Sequence, residues 1–556
     1  MSVGSHSNFA AASGAPRLFA GPARVARPAG LPALAVVAIH LLVFGSLFSG
    51  LPGPSALGEL RGEGTLIGSL LVILTAVLSG AIADIRAIRS VLIFLPLAVC
   101  IALSYAFNAE GIAQAHFLGR EGGEKFFTSL MVIGFYFSVF FGLCGIVQVY
   151  GVRATLLCGS KAAFWCGSLM VGEMLVEIVS WFVPPLRGIW RETRLLWVST
   201  GASEPLYRLV GFAPEPSLGA VTAMGLLGLL GAEVVLCRGS ADWTRRRAIA
   251  LGAVMLPLFA FELALANART FAIGALGAGL AWLLLSRLAA RVPAALRSVA
   301  IVAATLPAQI GLVWAVLQVE PSARSISNIT RSVGMVTASQ LWARNPWFGV
   351  GLGQYGFHFR SVVPSWGLES FEIARYFRND EYNLLTGLQP SFSIFSRVVA
   401  ELGVFGFIAW ILPPVLAIRW AMLRRPGALT TVIVCALAAQ IWTGLSLDSF
   451  RNVYYWFWLA ILLTWPTQHE GLTVLTCQRP SAEFAARGSA GNGRAVSVRH
   501  CHLCHGSAPA GPKCPPAASP ASTRRTACGR SVPARWTGAG CRSAGGAPRR
   551  SGSSPR

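Results

Sequence analysis

Apolar residues in this chain come in long unbroken runs. They show neither the alternation of a half-buried strand nor the one-sided stripe of a surface helix. A membrane-crossing helix needs about 20 mostly apolar residues. Such runs fall near 31–50, 65–84, 91–107, 127–149, 162–183, 217–237, 248–266, 271–289, 298–318, 392–416, 429–447 and 453–466. The pattern predicts an all-α polytopic membrane protein with about twelve transmembrane helices. The first run follows a stretch whose only charges are Arg17, Arg24 and Arg27, as a signal peptide would. It is too long for a signal h-region, and no clear small-residue cleavage site follows, so it is taken as a span. Three polar stretches complete the layout: an N-terminal segment over 1–30, a large loop over 319–391 between spans nine and ten, and a tail over 467–556.

Composition sharpens this picture. Of 556 residues, 54% are hydrophobic and only 12% charged, against roughly 25% charged in soluble domains. Mean hydropathy is +0.59. The formal net charge of +23 does not point to nucleic acid, because the body's Lys and Arg are scattered between apolar runs. Their placement sets orientation instead. With the N-terminus inside, the inner loops carry Arg86 and Arg89; Arg153 and Lys161; Arg238 and Arg245–Arg247; Arg287, Arg291 and Arg297; and Arg419, Arg424 and Arg425. Both termini are then expected on the cytoplasmic side. The long outer loop holds six Arg and five acidic residues among many aromatics and glycines. It is expected to fold onto the membrane surface. A second outer loop, 184–216, carries Arg187, Arg191, Arg194 and Arg208.

The tail is a different kind of sequence. Residues 468–556 hold thirteen basic and two acidic residues in a Gly, Ala, Ser and Pro background. Such a stretch cannot bury a core and is expected to be disordered. Its Cys501-His502-Leu503-Cys504-His505 spells the haem-attachment spacing. Haem attachment belongs to the export side, and topology puts the tail inside, so chance in a Cys-rich stretch is the expectation. The six body cysteines, Cys100, Cys144, Cys158, Cys166, Cys237 and Cys435, fall in spans or inner loops. No disulfide framework is expected outside.

Ionisable residues within spans are costly and usually face the bundle interior. Here they are Glu173, Glu177, Glu233, Glu262, Arg397 and Glu401. Arg397 and Glu401 are four apart and share a helix face. They fit either a helix-bracing pair or part of a binding site. Arg269 sits in the short outer turn Asn267-Ala268-Arg269-Thr270, where topology has no need of a cation. Outward guanidiniums suit phosphate, which they bind bidentately without titrating. A lipid-linked diphosphate is such a ligand. If a sugar leaves it, fixed arginines stabilise the growing charge. No Asp-x-Asp pair or His/Cys/Asp cluster occurs in the outer loops, so neither a metal nor a cofactor is expected.

Three segments resemble the O-antigen ligase/polymerase-like family of bacterial membrane proteins. They are Arg208–Ser217, which also fits Arg, ten residues, then Gly219; Asn345-Pro-Trp-Phe-Gly-Val-Gly-Leu-Gly353; and Ala400-Glu-Leu-Gly-Val-Phe-Gly406. Their order, the span count and the loop after span nine match as well, over roughly 30–466. The resemblance implies a glycosyltransferase in the bacterial cytoplasmic membrane. It would use undecaprenyl-diphosphate-linked oligosaccharide, with a flippase and a chain-length regulator as partners. By position it implies Arg208 and Arg269 on the diphosphate. Beside that, an arginine of the long loop, Arg331 or Arg344, is expected to assist. Ligases of the family carry a His about eleven residues before the Gly of the third segment. Phe392 stands there, followed by Ser393, which favours polymerase over ligase.

Several groups could take the acceptor proton. His358 is the single His of the long loop and titrates near neutrality. Glu215, Glu369, Glu372, Asp380 and Glu381 are alternatives, with Glu215 preferred for lying in a matching segment. Gly351-x-Gly353-x-x-Gly356 spells a dinucleotide fingerprint but follows no predicted strand. It is expected to serve close backbone packing against lipid or glycan. A transporter is the rival from another class, although no internal repeat is visible.

Overall fold

The computed structural model describes residues 31–51, 60, 62–81, 91–117, 119–198, 211–238, 243–266, 269–286, 289, 291–318, 326–377 and 388–465. The N-terminal segment, the tail with its Cys501–His505 motif, Arg208, Asp380 and Glu381 lie outside the described residues, as does the side chain of Glu262.

The apolar runs form helices. In chain order these are α1 Leu31–Gly45, α2 Leu66–Leu78, α3 Leu95–Gln114, α4 Gly122–Tyr150, α5 Val152–Phe182, α6 Pro184–Arg194, α7 Pro216–Leu236, α8 Trp243–Ala266, α9 Arg269–Leu285, α10 Ala294–Ala303 and α11 Thr305–Gln318. The long loop contributes α12 Ile326–Arg344, α13 Tyr355–His358 and α14 Phe371–Ala374. The bundle closes with α15 Ile394–Arg424, α16 Ala428–Thr443 and α17 Val453–Thr464. A two-residue hairpin, β1 His116–Phe117 with β2 Arg120–Glu121, joins α3 to α4.

Six helical segments among the described residues are long and apolar enough to cross a membrane: α3, α4, α5, α7, Ala294–Ala315 and α15. Five further apolar helices are shorter, and α17 shows how a short one is used. It is apolar nearly all round, Val-Tyr-Tyr-Trp-Phe-Trp-Leu-Ala-Ile-Leu-Leu-Thr, and all of its residues are buried. A helix without a polar face belongs in an interior. It packs against α4, α15 and α16. On the outside, Leu70, Leu74, Phe107, Phe182, Leu276, Trp282, Ile310 and Trp314 are exposed. That apolar coat is what a lipid-facing surface presents.

Helix α15 is broken. Gly403 has φ 68° and ψ −167°, which is not helical. Residues of the long loop fill the gap. Val350 N donates to Ala400 O (2.9 Å), Gly351 N to Glu401 O (3.0 Å), and Val404 N to Pro346 O (2.9 Å). Ser104 Oγ of α3 donates to Phe348 O (2.7 Å) and Glu401 O (3.0 Å). Every backbone group freed by a break at this depth needs such a partner. The approach requires glycine on both sides. A Cβ on Gly403 would lie 2.2 Å from Trp347 O, and one on Gly349 (φ 66°) would lie 2.3 Å from Glu401 C. The second and third segments of the family resemblance therefore form one interlocked unit.

The fingerprint-like glycines do a related job, with one correction. Gly353 packs on Lys125 and Ser129 of α4, and Gly351 on Ile112 of α3. The surface they meet is protein, not lipid or glycan. The loop is anchored there by the fully buried Gln354, whose Nε2 donates to Gly122 O (2.8 Å).

Candidate functional site

Polar side chains gather where residues 46–50, 62–65, 211–215, 391–394 and 444–452 meet. Phe48 packs on Phe212, Gly50 lies against Pro214, and Ile394 N donates to Gly444 O and Leu447 O. Two openings lie at this end of the bundle.

The smaller is a crevice of about 20 Å³ lined by Arg269, Ile273, Leu312, Asn328, Arg331, Ser332, Met335, Leu445 and Ser446. Arg269 is the first residue of α9, and Arg331 lies in the first half of α12. Two of the arginines singled out in the sequence thus share one crevice, although they come from different elements. Ser446 Oγ donates to Thr270 Oγ1 (2.8 Å), tying the 444–452 connection to the head of α9. Arg344 is not part of this group. It is exposed at the far end of α12, about 20 Å from Arg331 at 1.5 Å per residue.

The larger opening is a cavity of about 110 Å³ between the 46–65 connection, α7, α15, α16 and the head of α17. On its wall Glu63 accepts from Arg451 Nη1 (3.0 Å) and from Tyr136 OH of α4 (3.1 Å). Burial pushes the Glu63 carboxyl above its usual range, while Arg451 and the Tyr136 hydroxyl pull it back. Arg451 is itself held by Ser449, with Nε donating to Oγ (3.0 Å). Asn452 caps α17 by accepting from Tyr455 N (3.2 Å) and donates to Gln440 Oε1 (2.9 Å). Gln440 Nε2 donates in turn to Val221 O (3.2 Å). Trp410 and Tyr455 stack on the same wall, with centroids 5.4 Å apart and planes 21° apart. The Tyr455 hydroxyl is buried without a hydrogen-bond partner among the described residues.

The sequence-based reading did not single out Glu63 or Arg451. Arg451 had a usable signal, the one that marks Arg269: an arginine in a short connection on the side expected to lack them. Glu63 had none, because a single carboxylate in a polar loop is ordinary.

The remaining candidates sit elsewhere. Arg397 Nε and Glu401 Oε2 are 3.2 Å apart, and Arg397 Nη1 donates to Asp448 O (3.0 Å). Arg397 also lies over the Phe450 ring, 5.2 Å from its centroid. Glu401 is 2% exposed, and the pair lines neither opening. Glu215 is exposed at the head of α7 and accepts from Ser217 Oγ (3.2 Å). His358 ends α13 half-buried, and burial lowers its pKa. Glu369 and Glu372 lie on the turns that follow. None of these four lines either opening. Phe392 has φ 60° and is the one non-glycine with positive φ among the described residues.

The two glutamates of α5 singled out in the sequence brace a loop. Trp190 Nε1 donates to Glu173 Oε1 (3.0 Å), and Gly211 N to Glu177 Oε2 (3.1 Å). Arg194 reaches Ala213 O and Pro214 O, both at 3.3 Å. Glu233 pairs with Arg247 at 3.5 Å. Among the described residues no three His, Cys, Asp or Glu side chains are grouped to hold a metal ion.

No family model matches this chain, and no curated protein or solved structure matches it either.

Proposed function

We propose that this chain is a membrane glycosyltransferase that lengthens glycans carried on undecaprenyl diphosphate. It works at the non-cytoplasmic face of a bacterial inner membrane, with about twelve spans and both termini in the cytoplasm. The observation that carries the reading is the crevice shared by Arg269 and Arg331. Two guanidiniums from separate elements suit the two phosphates of a lipid-linked donor, which would lie across the 20 Å³ crevice rather than within it. They would stabilise charge on the departing diphosphate more than on the intact donor. Arg208 belongs to the same reading through its segment. Phe392 in place of a ligase His supports chain lengthening over transfer to lipid A core.

A transporter would leave a broken helix open to its solute. The break in α15 is filled by Val350 and Gly351 instead.

The test uses purified protein with undecaprenyl-diphosphate-linked oligosaccharide from the source cells. Arg269→Ala and Arg331→Ala should each lower chain growth by about 100-fold or more, with the protein still monodisperse. Growth at the wild-type rate in both variants would overturn the assignment. Longer lipid-linked product means polymerase; glycan on another acceptor means ligase.

A further inference from the structure

The cavity bearing Glu63 is not needed for the diphosphate, yet it is equipped for a second ligand. At roughly 10–15 Å³ per water-sized position, 110 Å³ is room for about seven to eleven heavy atoms, the upper end matching one hexosyl unit. Few convergent polar groups on a largely apolar wall are the usual composition of a small-molecule site. Trp410 and Tyr455, stacked on one another, contribute part of its apolar wall. The Tyr455 hydroxyl is buried without a hydrogen-bond partner among the described residues. A buried hydroxyl in that state costs about 1–3 kcal/mol, a cost that a bound ligand's hydroxyl would remove.

The cavity also adjoins the arginine crevice. Thr443, Gly444 and Leu447 face the cavity, while Leu445 and Ser446 face the crevice. The same short stretch of backbone borders both.

We propose that this cavity receives the acceptor sugar and that Glu63 takes the proton from its attacking hydroxyl. This rests on the glycosyl-transfer reading above. The hydroxyl oxygen bonds to the donor's anomeric carbon. The bond from that carbon to the diphosphate oxygen breaks, and its electron pair leaves with the diphosphate. The hydroxyl proton passes to the Glu63 carboxylate. Arg451 and Tyr136 are positioning residues, each holding one carboxylate oxygen and leaving the second lone pair of each for the acceptor. The charged and titratable groups around Glu63 are Arg451 from the α16–α17 connection and Tyr136 from α4, with Tyr454 and Tyr455 of α17 on the same wall.

The experiment measures chain growth by purified wild-type and variant protein on lipid-linked oligosaccharide from the source cells, across pH. Binding of glycan-free undecaprenyl diphosphate is measured in parallel. Glu63→Gln keeps the shape and cannot accept the proton. Its kcat should fall about 100-fold or more, the acidic limb of the pH profile should disappear, and diphosphate binding should stay at wild-type strength. Tyr455→Phe, which removes only the unpartnered hydroxyl, should fold as wild type and raise the acceptor KM several-fold. Glu63→Gln within tenfold of wild-type kcat, or Tyr455→Phe with an unchanged acceptor KM, overturns the proposal while the arginine assignment stands. Wild-type protein that never lengthens the glycan overturns the glycosyl-transfer reading itself, and this inference with it.

Discussion

Two of the arginine–glutamate pairs among the described residues, Arg397–Glu401 and Arg451–Glu63, are of similar length and differ in what surrounds them. Arg397–Glu401 at 3.2 Å is sealed, with side chains 14% and 2% exposed. Arg451–Glu63 at 3.0 Å opens to a cavity, with Arg451 38% exposed. In the sealed pair every direction is taken by protein: Asp448 O, Ser129 Oγ and the Phe450 ring surround the guanidinium. The Glu401 carbonyl also holds the long loop. The open pair leaves acceptor capacity facing empty space. Charge within an apolar bundle is therefore not a sufficient mark of function; the free volume beside it separates a brace from a working group.

That contrast can be broken experimentally. Arg397→Ala leaves Glu401 buried without its partner, and such losses cost about 3–5 kcal/mol. Denaturant unfolding in detergent should show this, and an unchanged midpoint would mean the pair is no brace. Gly349→Ala attacks the same unit from the loop side. A positive φ and the Glu401 backbone both oppose the new methyl group, so about 2 kcal/mol should be lost. Limited proteolysis of the long loop would report its release.

Arg451→Ala should cost about 1–3 kcal/mol of stability, less than Arg397→Ala, because Arg451 is 38% exposed and Tyr136 still donates to Glu63. A loss as large as that of Arg397→Ala would erase the distinction between the pairs. His358 belongs to neither pair and sets the floor. Its pKa lies below the ordinary 6.5 through burial. As pH falls below about 6.5 the unfolded chain takes up a proton before the folded one, so stability declines into acid until the folded pKa is passed. Thermal melts between pH 7 and pH 5 should flatten slightly in His358→Gln.

What the sequence disclosed follows from how local each signal is. Helices were legible because their apolar runs are continuous. Arg397–Glu401 was legible because four residues along a helix bring two side chains together. Arg269 and Arg331 stood out by type and side, but their common crevice depends on how α9 and α12 meet. Glu63 and Arg451 come from opposite ends of the body, and no local pattern joins them. The break at Gly403 was hidden because glycine is commonplace in apolar helices. Only the loop carbonyls and N–H groups that complete it disclose it.

One short stretch of chain belongs to two rooms. Thr443, Gly444 and Leu447 border the cavity, and Leu445 and Ser446 border the crevice. Ser446 also ties the stretch to the head of α9 through Thr270. If a ligand reshaped this stretch from one side and so altered affinity on the other, linkage would make the factor equal in both directions.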